Sequence, residues 1–84
     1  MDLPSLRAFC AVARCGSLTA AARDLNLTPS AVSHSMKTLE TRLDCRLLDR
    51  IGKKIQLSQA GEQFLAQVEP LLTGLKSAEE SIRR

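Results

Sequence analysis

The sequence has no tryptophan or tyrosine, and its aromatic residues are two phenylalanines, Phe9 and Phe64. Proteins that bind RNA or single-stranded DNA stack unpaired bases on aromatic side chains, so binding by stacking is excluded. The longest apolar run, residues 8–13, is far shorter than the roughly 20 residues that span a bilayer, and no basic signal-peptide head opens the chain. We therefore expect a soluble, cytoplasmic protein without a membrane partner.

Metal-binding residues are also scarce. His34 is the single histidine, and the three cysteines, Cys10, Cys15 and Cys45, form no CxxC pair. This set falls short of a four-ligand zinc site, so no metal is expected. An odd number of thiols favours a reducing compartment over a disulfide framework. Cys10 is expected to fill the core, whereas Cys15 and Cys45 lie at predicted helix ends, as partly exposed structural cysteines or, alternatively, redox-sensing thiols.

The charge is distributed unevenly along the chain. Its 84 residues suffice for one domain with a small core, and the net charge is +3. Between Arg7 and Lys54, nine basic residues face four acidic ones, whereas between Ile55 and Ile82 one lysine faces four glutamates. A basic body joined to an acidic tail favours a body that binds a polyanion and a separate element for association.

Capping signals divide the first half of the chain into three helices. The predicted N-caps are Asp2, Ser17 and Thr28, and the helices close near Gly16, Asn26 and Leu43. Proline in the first turn of the first and third helices strengthens both assignments. The second helix carries three consecutive alanines, so another element can approach it closely.

The third helix has two different faces. Its apolar stripe consists of Val32, Met36, Leu39 and Leu43. Its opposite face carries Pro29, Ser30, Ser33, His34, Lys37 and Thr41. A face that only meets solvent would more commonly carry Glu and Lys, which form helices better than Ser or Thr. Short polar side chains therefore indicate close approach to a polar partner.

A hairpin and a long helix complete the predicted fold. The hairpin covers residues 47–57, with a turn over residues 51–54 and basic residues at its tip. Ser58 caps the final helix, along which apolar residues alternate in steps of four and three, a heptad pattern. A second stripe begins with Leu65 and Leu72, so one stripe can pack on the body and the other on a partner. Pro70 is expected to bend this helix, and Gly74 to weaken it.

Residues 3–65 resemble the winged helix-turn-helix domain of LysR-type transcriptional regulators. The matching positions, in register and without a gap, are Leu6, Phe9, Ala13, Gly16-Ser17, Ala21-Ala22, Leu25, Ser30-Ala31-Val32-Ser33, Leu39-Glu40, Leu43, Leu47-Leu48, Arg50, Leu57-Ser58 and Ala60-Gly61. The resemblance implies a mainly α fold, with a winged helix-turn-helix domain over residues 1–57 and a linker helix for dimerisation over residues 58–84.

The resemblance also implies partners. A homodimer would bind a pseudo-palindromic operator in double-stranded DNA, and the full-length protein could form a higher oligomer and contact RNA polymerase. The fragment itself needs no cofactor. A small-molecule effector is expected for a C-terminal domain absent from this chain, with Arg84 as a truncation point.

Pattern and resemblance together predict two sets of functional residues. The DNA-binding set is Ser17, Thr19, Thr28, Pro29, Ser30, Ser33, His34, Lys37, Arg50, Lys53, Lys54 and Ser58. The dimerisation set is Phe64, Val68, Leu71, Leu72, Leu75, Ala78 and Ile82. Glu40 is expected to form an internal ion pair. No residue is assigned a catalytic role, because nothing near His34 in the sequence would orient it.

The chain departs from the family pattern at two places that bear on DNA recognition. His34 stands where the family often has arginine, and Pro29 where it commonly has glutamine. Lysines 53 and 54 replace the usual arginine of the wing, which keeps charge but loses the flat guanidinium. Two rivals stay open: a protein-interaction module that uses the final amphipathic helix, and a small thiol-dependent enzyme, which would need an activated cysteine beside a base.

Overall fold

The computed structural model describes residues 2–52 and 54–83. Its elements, in chain order, are α1 (Leu3–Cys15), α2 (Leu18–Leu25), α3 (Pro29–Leu43), β1 (Leu48–Ile51), β2 (Lys54–Leu57) and α4 (Gln59–Arg83). The mainly α, winged helix-turn-helix architecture predicted from the sequence is confirmed. Within the described ranges, no helix combines the length and the apolar character needed to cross a membrane.

The three predicted N-caps hold the starts of the first three helices. The side-chain oxygens of Asp2, Ser17 and Thr28 accept hydrogen bonds of 3.0, 3.2 and 3.1 Å from the backbone amides three residues ahead. The hydroxyl and the amide of Ser5 stabilise the carboxylate of Asp2 and lower its pKa. Each cap satisfies a backbone donor that the helix itself leaves unpaired, so helix starts follow from local sequence.

Left-handed residues end the same three helices. Gly16, Asn26 and Asp44 have φ angles of 70°, 58° and 50°. Glycine and asparagine adopt this conformation at little cost, so the chain turns sharply after each helix. The turn after Asn26 is short enough to hold α2 and α3 together as a helix-turn-helix pair.

The core lies where α1, α2, α3 and the first half of α4 meet. Its largest fully buried side chains are Phe9, Val12, Val32 and Leu39. The ring of Phe9 lies 5.5 Å from that of Phe64, centroid to centroid, which fastens α4 to α1. Small alanines of α2 are buried against this core, as the sequence predicts.

Cys10 is buried in the same core and fills space there, as expected from its position on α1. Burial raises the pKa of the Cys10 thiol, and the negative charge of Glu69 raises it further. Cys15 and Cys45 are exposed free thiols.

Strands β1 and β2 form an antiparallel hairpin, the wing. Leu48 pairs with Leu57, and Ile51 pairs with Lys54. The predicted turn over residues 51–54 was therefore too long, because its first and last residues belong to the strands. The amide of Ile55 donates to the carbonyl of Gly16 at 3.3 Å, which joins the wing to the end of α1.

Helix α4 continues from Gln59 to Arg83 through Pro70, and the bend expected there stays a prediction. The apolar seam of α4 is divided in a way that the heptad pattern did not show. Phe64, Val68 and Leu72 pack on the core of their own chain. Val68 is buried and Phe64 and Leu72 are half-buried within their own chain, and the role of all three in dimerisation stays a prediction. Leu71 and Ile82 are 72% and 85% exposed.

Candidate nucleic-acid interface

The outer face of α3 is accessible to a partner. Pro29, Ser30, His34 and Lys37 are exposed and Ser33 is half-buried, whereas the apolar stripe on the other side faces the core. These side chains lie within one stripe because they follow the helical repeat. The structure therefore brings together the outward residues that the sequence predicts.

Three hydroxyl residues of the predicted DNA-binding set also serve the fold. Ser17 and Thr28 use their oxygens as caps, which leaves each hydroxyl hydrogen as a second polar group. Ser58 is different, since its hydroxyl donates to the carbonyl of Arg46 at 2.6 Å and accepts from the amide of Gly61 at 3.0 Å. Ser58 thus joins the wing's start to α4 through its hydroxyl, and its role as a DNA contact stays a prediction.

The basic residues of the wing do not share one face. Arg50 pairs with Ile55, and Ile51 pairs with Lys54. Directly paired residues of an antiparallel hairpin point to the same face, and successive residues point to opposite faces. Arg50 and Lys54 are both exposed but lie on opposite faces of the wing. Lys53 lies outside the described residues.

The cations divide into a paired group and an unpaired group. Arg14 binds Asp24 at 2.9 Å and Arg7 approaches Glu79 at 4.0 Å, so these arginines join α1 to α2 and α4. In the part of the chain that the structure describes, the cations of α3 and the wing have no carboxylate within 4.0 Å. They are Lys37, Arg42, Arg46, Arg50 and Lys54. Positive charge without an internal partner is available to a polyanion.

Two residues of this region were missing from the predicted site. Arg46 is exposed and lines, with Lys37 and Thr41, a surface concavity of about 350 Å³ at the end of α3. The basic run of the sequence contains Arg46, but a loop residue has no helical face that would assign it. Thr19, which was predicted, is exposed on α2.

Glu40 is the second missing residue, and within residues 2–52 and 54–83 it forms hydrogen bonds to backbone amides and no ion pair within 4.0 Å. One carboxylate oxygen, Oε2, accepts hydrogen bonds from the amides of Leu47 at 2.6 Å and Leu48 at 3.1 Å. The bonds connect α3 to the start of the wing across seven and eight residues. Sequence spacing could not reveal them, because they depend on where the loop after α3 returns.

The dimensions of α3 bear on which partner its outer face can contact. Among residues 2–52 and 54–83, no three His, Cys, Asp or Glu side chains cluster closely enough to hold a metal ion. An α-helix with its side chains is about 10–12 Å across, and the major groove of B-DNA is about 12 Å wide. A helix of this width fits such a groove, and short side chains such as Ser30 and Ser33 on the outer face of α3 leave its backbone open to close approach.

Comparison with protein families gives a match over most of the chain. Residues 3–62 match the model of the bacterial regulatory helix-turn-helix proteins of the lysR family. A transcriptional regulator from the ibpB-leuC intergenic region of Azotobacter vinelandii is 40% identical over 82 residues, which are 98% of this chain and 57% of that protein. The transcriptional activator AmpR of Yersinia enterocolitica is 51% identical over 65 residues, which are 77% of this chain and 22% of AmpR. The chain thus spans only part of these relatives.

Solved structures give the same picture. The DNA-binding domain of BenM in complex with benA site 1 DNA superposes with a TM-score of 0.92 at 28% identity, covering all of this chain and 94% of that one. The DNA-binding domain of CbnR in its DNA complex superposes with a TM-score of 0.89 at 31% identity, covering 99% and 95%. Full-length CbnR bound to its target DNA has a TM-score of 0.88, and this chain covers 29% of it.

Proposed function

The chain belongs to the LysR family of bacterial regulatory helix-turn-helix proteins, and from that premise we propose that it binds double-stranded DNA sequence-specifically as the DNA-binding part of a transcriptional regulator. Helix α3 enters the major groove and reads base edges, while the wing and the end of α3 contact phosphates. The proposed base-reading residues are Ser30, Ser33 and His34, with Pro29 beside them. Thr19, Lys37, Arg50, Lys53 and Lys54, and the hydroxyls of Ser17 and Thr28, are proposed as backbone contacts.

One observation carries this proposal. The outward face of α3 presents short polar side chains, and the exposed cations beside it have no internal ion pair in the described part of the chain. A polyanion with readable edges is the partner that suits both features. The DNA-binding domains of BenM and CbnR share this fold and are solved in complex with DNA, which supports the proposal.

The proposed assembly is a homodimer. Leu71, Leu75, Ala78 and Ile82 form the part of the α4 seam that remains for pairing, and residues 58–84 act as the linker helix to the domain of residues 1–57. Two copies paired through α4 would present two α3 helices to one duplex, so the operator would be a pseudo-palindrome. A higher oligomer and a contact with RNA polymerase are proposed for a full-length regulator only.

The remaining properties follow from the same proposal. The fragment acts by binding and not as an enzyme, and it requires no cofactor. A small-molecule effector would bind in a C-terminal domain outside this chain. The proposed location is the cytoplasm, where a bacterial regulator meets its DNA.

Selection of bound duplexes from a random pool tests the proposal. We expect enrichment of one pseudo-palindromic sequence, with half-sites about one helical turn apart or a multiple of it. A variant with His34→Ala and Ser33→Ala, selected in parallel, should lose the enriched bases but keep weak binding. Recovery of unenriched duplexes, or of none, would contradict the proposal and would favour a protein-interaction module that uses α4.

A further inference from the structure

Residues 46–48, the root of the wing, lead from the loop after α3 into β1 and are held from two sides. On its carbonyl side, the Ser58 hydroxyl donates to the carbonyl of Arg46, and the Ser58 amide donates to the carbonyl of Leu47 at 2.9 Å. Gly61 packs so closely on this segment that a Cβ at Gly61 would collide with the Leu47 carbonyl. The start of α4 therefore fixes one side of the wing's root.

Helix α3 fixes the other side through one atom. Oε2 of Glu40 accepts the amide hydrogens of Leu47 and Leu48, at 2.6 and 3.1 Å. Glu40 is half-buried, and Leu47 beside it is almost fully buried. Hydrogen bonds from amides to a carboxylate are stronger than neutral ones, and losing the acceptor would leave two donors unpaired in a partly buried place. Glu40 is thus the polar connection between the recognition helix and the wing.

The negative charge of Glu40 lies beside cations that would attract a polyanion. Glu40 lines the same surface concavity as Lys37 and Thr41 of α3 and Arg46 of the loop that follows, so two cations lie close to its carboxylate. A negative charge in that position repels phosphates. Electrostatics alone therefore predicts that removing the carboxylate would strengthen DNA binding, whereas the loss of its amide bonds would release the wing.

We propose that Glu40 is a positioning residue for DNA recognition. By holding the root of the wing against α3, it sets the distance between Lys54 on the wing and the outer face of α3. Both elements then engage one duplex together, α3 in the groove and Lys54 on the phosphate backbone. This inference rests on the proposed function, because it concerns how two DNA-contacting elements are kept in register.

Two substitutions at Glu40 distinguish the effect of its side-chain length from the effect of its charge. Glu40→Gln keeps the side-chain length and a carbonyl oxygen that can accept both amide hydrogens, but removes the charge. Glu40→Asp keeps the charge but is one methylene too short for the same bonds. We expect Glu40→Gln to retain most of the affinity for duplex DNA and Glu40→Asp to lose affinity. The opposite order, or equal affinities of Gln, Asp and wild type, would overturn the inference.

A double-mutant cycle with Lys54 gives a measurement that a loss of stability alone would not change. In the wild-type background, Lys54→Ala should lower the slope of log affinity against log salt concentration by about 0.9 per chain, the value of one lost phosphate contact. In the Glu40→Asp background, the same substitution should leave the slope almost unchanged, because the displaced wing no longer contacts the DNA phosphates. All variants are measured well below their unfolding temperatures, checked by circular dichroism.

The outcomes distinguish the inference from the function beneath it. Full additivity of Glu40→Asp and Lys54→Ala, or a slope in wild type that does not respond to Lys54→Ala, would overturn the role of Glu40 while leaving DNA binding by α3 intact. Absence of salt-dependent duplex binding by the wild-type chain would instead contradict the proposed function itself.

Discussion

Both halves of α4 carry apolar residues at heptad spacing, but these residues differ in burial. In the first half, residues 59–72, Phe64, Val68 and Leu72 pack on the core. In the second half, residues 73–83, Ile82 is almost fully exposed, and Glu79 approaches Arg7 at 4.0 Å. The same heptad spacing therefore supplies buried positions such as Val68 and exposed apolar positions such as Leu71 and Ile82, so spacing alone does not distinguish a core stripe from a pairing stripe.

The difference in burial depends on which other elements of the chain pack against each half of α4. Phe9 on α1 and the backbone of the wing's root lie against the first half and cover it. The second half borders a groove between α1 and α4 that is lined by charges of both signs, among them Arg7, Lys76 and Glu79. Apolar side chains that no element of the chain covers are available for another copy.

Truncation of a core side chain that packs on the first half of α4 should cost far more free energy of unfolding than truncation of an exposed side chain on the second half. Phe9→Ala removes a fully buried ring that packs on Phe64, and we expect a loss of about 3–5 kcal/mol in the free energy of unfolding. Ile82→Ala, on the exposed half, should change the unfolding of the monomer by less than about 0.5 kcal/mol. Urea denaturation at low protein concentration compares the two, and similar losses would show that the second half also belongs to the core.

Charge placed on the exposed seam should affect assembly and leave the fold intact. Leu71→Glu or Leu75→Glu should weaken pairing by about 1.5–3 kcal/mol per chain, the value of one buried leucine side chain. Light scattering at tens of micromolar should report a dimer for wild type and a monomer for either variant. A monomeric wild type, or variants that still pair, would remove the association role from the part of the α4 seam that contains Leu71 and Leu75.

A pair of glycines on α4 sharpens the same contrast. Gly61→Ala places a Cβ against the Leu47 carbonyl, so the wing's root must shift and the protein should be destabilised. Gly74→Ala meets nothing within 4 Å and should stabilise the helix by about 0.5–1 kcal/mol, because alanine loses less backbone entropy. Thermal unfolding of both variants tests this, and equal signs for the two substitutions would argue against it.

Thiol reactivity gives the smallest and most local effect. Because burial and Glu69 raise the pKa of Cys10, its reactive thiolate forms at higher pH than an ordinary thiolate does. At neutral pH, a mild alkylating reagent should modify the exposed Cys15 and Cys45 and spare Cys10 unless the first half of α4 undocks. Mass spectrometry of the digested protein measures each site. Rapid labelling of Cys10 in the native state would mean that the first half of α4 does not stay packed on the core.

Local features of the molecule could be predicted from the sequence, and features that join distant segments could not. The caps at Asp2, Ser17 and Thr28 and the two faces of α3 depend on residues within a few positions of one another, so their patterns were sufficient. The extent of the wing's strands and the partners of Glu40 depend on where a loop returns in space. The opposite faces of Arg50 and Lys54 follow from strand register, which the short alternation did not specify.

The central claim is that the outer face of α3 reads base sequence while the wing supplies affinity, and competition binding of His34→Ala at constant salt tests it most directly. On the selected operator, His34→Ala should cost roughly 1–3 kcal/mol, and on random duplex much less, because only the operator offers the facing base. Lys54→Ala, as the matched control, should weaken both duplexes alike. Equal losses for His34→Ala on operator and random DNA would make it a phosphate contact, and no loss on either would contradict the claim that this face reads DNA.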